Sequence, residues 1–205
     1  LYAVDVQAGT ETWTFQTDGA VISSPAIAGE DLFVGSGDGH VYALDVKTGA
    51  ERWRFSTGDL VNSSPAVADG IVYFGSNDGH LYAVAASTGQ EKWRFATSQS
   101  IGSSPAVTEG VVYVGSDDGH LYALDAQTGQ ERWRFKTEGA LFSSPSVATG
   151  VVYVGSLDWS VYALDIKTGQ ERWRFETTGA IFSSPAIADG AVYIGSDDHQ
   201  LYLLR

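Results

Sequence analysis

The sequence predicts an all-β fold, a β-propeller of five four-stranded antiparallel blades. Three observations carry this prediction: a strict 40-residue period, four short strand-like runs in each period, and no stretch with helical spacing. "SSP" recurs at 23–25, 63–65, 103–105, 143–145 and 183–185, and tryptophan at Trp13, Trp53, Trp93, Trp133 and Trp173, with no insertion. Trp159 is the one tryptophan outside the series.

Residues 63–97 show the elements in order. "SSPAVA" reads as a first strand, and Asp69-Gly70 as a tight hairpin turn leading into the second strand, "IVYFGS". Asn77-Asp78-Gly79 turns the chain into "HLYAVA", and "STGQ" turns it again into "EKWRF". A lone four-stranded blade cannot bury both faces, so the repeats must stack. The chain opens on "LYAVD" and closes on "LYLLR", both third strands. The expectation is a single domain over 1–205 in which about 1–17 and 183–205 share the closing blade of a monomeric ring. The alternative is a slice of a larger propeller, or copies that complete each other.

Composition narrows the function classes. Hydrophobic residues make up 43% of the chain, enough for a real core. No apolar run approaches the roughly 20 residues of a membrane span. A net charge of −13 disfavours nucleic acid and anionic membrane as partners. The absence of cysteine excludes disulfides and thiolate chemistry. The chain starts at Leu1 without a signal pattern and contains no methionine, so it reads as less than a full translation product, and a targeting segment can lie outside it.

The segment "YALDVKTGAERWRF" carries Ala43, Asp45, Thr48, Gly49 and Trp53, and full copies recur at Ala123–Trp133 and Ala163–Trp173. This Ala-x-Asp-x-x-Thr-Gly-x-x-x-Trp pattern resembles the tryptophan-docking motif of the pyrroloquinoline-quinone-like (quinoprotein-type) propeller repeats. That family includes the propeller lipoprotein of the outer-membrane barrel-assembly machinery. The residue chemistry agrees with a structural role. Trp53 would dock on the neighbouring blade, Asp45 would accept backbone hydrogen bonds, and Thr48-Gly49 would shape the turn. Strand alternation would put Glu51, Trp53 and Phe55 on one face and Arg52 and Arg54 on the other, guarding the outer edge. The copies depart at Ala85, at Thr12 and Thr14, and at Arg205.

The chemical readings are weaker. His40, His80 and His120 share one turn position. That turn lies well outside the innermost strand, so equivalent residues on adjacent blades stand on the order of 10 Å apart, too far for ligands about 2 Å from one zinc ion. Asp117-Asp118, Asp197-Asp198 and Asn77-Asp78 read as turn residues, not a calcium loop. The resemblance also implies a third possibility, a fragment of a quinone-dependent dehydrogenase. Such enzymes need a vicinal cysteine pair and an asymmetric carboxylate set, and near-identical repeats supply neither.

The expectation is therefore a non-enzymatic binding or scaffold module with no metal and no cofactor, taking a protein partner or a small ligand at the channel mouth. The alternative is a multivalent lectin-like protein with equivalent sites on every blade. The resemblance implies a periplasmic or extracellular setting. Candidate binding residues are where the repeat varies, on the segment before each innermost strand: Ile22, Asp59, Asn62, Gln99, Gly102, Glu138, Phe142 and Phe182. Phe142 and Phe182 would form an apolar patch or plug the channel. Trp159, in place of a turn glycine, is a candidate contact for protein or sugar, or packs on a neighbouring turn.

Overall fold

A computed structural model describes all residues, Leu1–Arg205. The chain forms twenty-one strands in six antiparallel sheets that follow one another along the sequence. Sheet I holds β1 (Tyr2–Val4) and β2 (Glu11–Thr14). Sheet II holds β3 (Ala26–Ala28), β4 (Asp31–Gly35), β5 (His40–Asp45) and β6 (Glu51–Ser56). Sheet III holds β7 (Ala66–Ala68), β8 (Ile71–Gly75), β9 (His80–Ala85) and β10 (Glu91–Ala96). Sheet IV holds β11 (Ala106–Thr108), β12 (Val111–Gly115), β13 (His120–Asp125) and β14 (Glu131–Lys136). Sheet V holds β15 (Ser146–Ala148), β16 (Val151–Gly155), β17 (Ser160–Asp165) and β18 (Glu171–Glu176). Sheet VI holds β19 (Ala186–Ala188), β20 (Ala191–Gly195) and β21 (Leu201–Leu204). No helix is long and apolar enough to cross a membrane.

The hairpins form where the turn chemistry places them. Asp69 and Gly70 both adopt positive φ, 49° and 73°, the mirror-image turn that matches the twist of paired strands. The fourth strand corrects a reading from alternation. A bulge shifts the register where Ala43 faces Trp53 and Leu44 faces Glu51, and the Glu51 carboxylate meets Arg54 at 2.8 Å. Glu51 therefore joins the charged face instead of the tryptophan face.

Each core lies between neighbouring sheets, not within one. Tyr73 and Trp93 of sheet III pack with Ile101 and with Val112, Val114, Tyr122 and Leu124 of sheet IV. The tryptophan series explains the stacking. The Trp53, Trp93 and Trp133 indole N–H groups donate to the Ala86, Ala126 and Ile166 carbonyls at 2.8, 3.0 and 3.1 Å. Each indole also lies flat on the turn glycine of the next sheet; a methyl at Gly129 would stand 2.7 Å from Trp93. That glycine, at φ +71°, serves both the turn and the close approach. Asp45 accepts from Lys47 N, Thr48 N and Thr48 Oγ1, and Arg52 bridges it at 2.7 Å.

The "SSP" run does something that strand propensity does not show. Ser63 and Ser64 precede β7, and strand pairing starts only after Pro65, which has no N–H to offer. The first serine bonds within its own blade, Ser63 Oγ accepting from Gly75 N at 3.0 Å, and Ser103 Oγ also donates to Ser143 O of the next blade at 3.1 Å. The second links blades: Ser24, Ser64, Ser104 and Ser144 each donate a backbone N–H to the hydroxyl of the serine 40 residues on, at 2.8–3.0 Å.

The expected shared closing blade is not what the structure shows. β1–β2 and β19–β21 form separate sheets with no hydrogen bonds between them, giving six sheets in an open arc. The serine ladder joins sheets II to VI and the indole docking joins sheets I to V, so the end junctions each lack one of the two contacts. Tyr2 is accordingly 72% exposed while Tyr42, Tyr82, Tyr122 and Tyr162 are buried, and Trp173 is 37% exposed.

Candidate functional site

The varied segment alternates between anchoring and display. Val61, Ile101, Leu141 and Ile181 are fully buried, seated on the Gly35, Gly75, Gly115 and Gly155 backbones. The next residue in each case turns the other way, two positions before the serine ladder. This places Ile22, Asn62, Gly102, Phe142 and Phe182 in series along the inner rim of the arc. Phe142 lies against Gly102, where an added methyl would stand 3.7 Å from the ring. Phe142 and Phe182 face each other with centroids 5.8 Å apart and planes at 35°, yet remain 41% and 51% exposed. Ile22 is exposed and Asn62 half-buried.

Asp59, Gln99 and Glu138 sit elsewhere. They line shallow depressions between the end of a fourth strand and a turn joining second and third strands. Asp59 shares its depression with Asp38 and Thr57, and Gln99 with Asn77, Asp78 and Ser100. The Asp59 carboxylate is used locally, accepting from Leu60 N at 2.7 Å. The backbone oxygen of Gln99 accepts from Thr97 Oγ1 at 2.6 Å. Glu138 shares a depression with Trp159, Arg174 and Glu176. The candidates thus form two groups, a rim and a set of outer depressions.

Within the turns, one aspartate per blade organises the chain. Asp118 accepts from Ser98 N, His120 N, His120 Nδ1 and Tyr122 Oη at 2.9–3.1 Å. Burial pushes its carboxyl pKa up, but these hydrogen bonds outweigh it and hold the pKa below the ordinary value. In the preceding blade, burial and the hydrogen bond to Asp78 push the Tyr82 phenol up to about 12. His40, His80 and His120 each pack on the tyrosine two residues on, His120 on Tyr122 at 5.6 Å. No three His, Asp or Glu side chains converge on one point. A quinone with its calcium needs free carboxylates around one centre, whereas these are saturated inside separate blades. The donor set does not fit that group, and no chemical step is derived through it.

Asp117 behaves differently from its neighbour. Its Oδ1 is buried without a partner, and burial beside Asp118 raises its pKa. Turn chemistry alone makes the two aspartates equivalent, and the structure separates them. The repeat holds a partial signal, since glycine, asparagine and leucine fill the same position at Gly37, Asn77 and Leu157 while aspartate recurs there at Asp197.

Solved structures place this architecture. BamB from Moraxella catarrhalis superposes with a TM-score of 0.83 at 23% identity, covering 98% of this chain and 65% of that one. The computationally designed Ika8 protein gives 0.80 at 20% identity, covering 88% and 57%. The quinohemoprotein alcohol dehydrogenase ADHIIG from Pseudomonas putida HK5 gives 0.75 at 22% identity, covering 92% and 41%. The likeness is one of fold, and this chain spans less than two thirds of those proteins. No curated protein sequence matches it. A family model described as "Beta-alanine-activating enzyme, beta-propeller" matches residues 1–205 in full. With its tryptophan-docked repeats and its whole length matched, the chain belongs to the β-propeller family of the beta-alanine-activating enzyme.

Proposed function

We propose that this propeller is a non-catalytic binding platform, and that its recognition surface is the inner rim at Phe142 and Phe182. One observation carries the reading. Two adjacent repeats place phenylalanine where Asn62 and Gly102 serve the same backbone, so the bulk is not required by the fold. The rings pack against each other at a tilt and are still half-exposed, the form of an aromatic anchor for a partner's apolar segment. The activity in the family's description is said of that enzyme, and the match is to its propeller. The reading includes the extracytoplasmic setting implied by the quinoprotein-type repeats.

Panning a displayed library of short peptides on the folded protein tests this. Peptides with apolar anchors should be selected and should lose about tenfold in affinity on F142S/F182S, with an unchanged melting temperature. Equal affinity for both proteins would overturn the rim as the site. Turnover in a dye-coupled alcohol or sugar assay after addition of quinone and calcium would overturn the non-catalytic reading.

A further inference from the structure

A different surface carries a second binding proposal. In sheets II, III and IV the turn between the second and third strands holds Gly39, Gly79 and Gly119 at φ 79–83°. Sheet V places Trp159 there at φ 74°, a left-handed backbone that bulky side chains rarely adopt. The turn itself is unchanged, since Thr177 donates N–H and Oγ1–H to the Trp159 carbonyl at 2.8 Å as Thr137 does to that of Gly119. Burial does not offset the strain: Trp159 is 55% exposed, has no aromatic neighbour, and docks no blade.

Three further changes gather at the same turn. Ser160 replaces the histidine that packs on tyrosine in the preceding repeats, which clears space beside the indole. Glu138 stands where those repeats have Asp18, Gly58 and Ser98, and no hydrogen bond or ion pair occupies its carboxylate. Arg54, Arg94 and Arg134 pair with the glutamate three residues back, but Arg174 turns to Glu176 at 3.9 Å. Together they line a depression of about 270 Å³, floored by Tyr162 and Asp158. That is below the roughly 300–1,000 Å³ of drug-sized sites and suits a single ring.

The chemistry selects the ring. The indole offers a flat apolar face. Around it, Glu138 and Glu176 accept hydrogen bonds, the Arg174 guanidinium donates, and the Ser160 hydroxyl does both. A compact anion would meet the carboxylates, and a compact cation would meet the guanidinium. A neutral ring with one apolar C–H face and a perimeter of hydroxyls matches every group. We propose that Trp159, with Glu138, Arg174 and Glu176, forms a single carbohydrate-binding site on sheet V, with the pyranose ring stacked on the indole. It is independent of the rim proposed above.

The test is a titration of the whole chain with methyl glycosides of glucose, galactose, mannose and N-acetylglucosamine, up to concentrations on the order of 10 mM. It is read from the indole N–H resonances, with Trp159 assigned by its loss in W159G, and from saturation transfer to the glycoside for the variants. One or more glycosides should shift the Trp159 resonance with one site per chain, and F142S/F182S should leave this binding intact. W159G restores the glycine of the earlier repeats, so it should fold with a higher melting temperature and bind at least about tenfold more weakly; E138Q should bind more weakly with an unchanged melting temperature. Several equivalent sites insensitive to W159G would point to the lectin-like alternative and overturn the proposal. A Trp159 shift with tetramethylammonium but with no glycoside, or no shift with any probe, would also overturn it.

Discussion

Replacing Gly129 by alanine should separate the two duties of the motif glycine. The residue sits at φ +71°, and a methyl there would stand 2.7 Å from two atoms of the Trp93 ring. Adopting left-handed backbone costs alanine about 1–2 kcal/mol. Pushing into a packed indole adds about 1–3 kcal/mol of overpacking, because Trp93 is buried and held by its bond to Ala126. Gly110→Ala is the matched control: it has the same φ, and nothing lies within 4 Å of the added methyl. The expected loss is thus about 2–5 kcal/mol for G129A against about 1–2 kcal/mol for G110A, read from urea unfolding followed by tryptophan fluorescence. Trp93→Ala removes the obstacle along with the docking, so G129A added to W93A should cost only the backbone part. A coupling of about 1–3 kcal/mol in that cycle would measure the contact. Equal losses for G129A and G110A, or strict additivity with W93A, would refute the claim that blades dock by seating indole on glycine.

Other perturbations probe the junctions and the turns. Ser104→Ala leaves Ser64 N–H without the hydroxyl it meets at 2.9 Å and should cost about 1 kcal/mol in the same unfolding assay. Ala85→Asp should stabilise by about 0.5–2 kcal/mol, because the turn of sheet III alone among the complete sheets lacks the aspartate that accepts Thr48 N and Thr128 N elsewhere. Asp117→Asn, which installs the residue that Asn77 supplies one repeat earlier, should raise the melting temperature at neutral pH. The sign follows from the raised pKa: folding disfavours the charged carboxyl, so the penalty is absent well below 3.8 and grows as pH rises through the folded value. The gain from D117N should therefore vanish in acid, and a gain independent of pH would show that Asp117 is not the cause.

Much of this architecture was legible because the repeat states each requirement several times. Asp45, Thr48, Gly49 and Trp53 recur at fixed spacing, and each proved to hold a turn or a junction. The bulge at Glu51 was not legible, since alternation assigns a face to each residue and carries no sign that register will slip. The serine ladder was hidden for a related reason. Serines beside proline read as strand start, while their bonds run to residues 40 positions away. Ring closure failed as an expectation because the first and last third strands each pair within their own sheet, and a count of repeats does not fix whether the end sheets meet.

The site candidates follow a different logic, and it favours one end of the arc. Gly102, Gly119 and His120 in the fourth repeat satisfy every backbone demand of their positions. In the fifth, Phe142, Trp159 and Ser160 replace them, and Phe182 and His199 repeat the departure in the sixth. The junctions do not register the change: Ser144 still donates to Ser184 at 3.0 Å, and Trp133 still docks on Gly169 and Ile166. Substitutions needed for stacking would alter those contacts or be buried by them, yet Phe142, Trp159 and Phe182 all stay exposed. Two carry apolar surface into water, and one adds backbone strain at φ 74° that glycine would avoid. Folding alone supplies no reason for the three together. Recognition as proposed above would, with the rim as an apolar anchor and the sheet V turn as a stacking platform on the same stretch of an otherwise uniform scaffold.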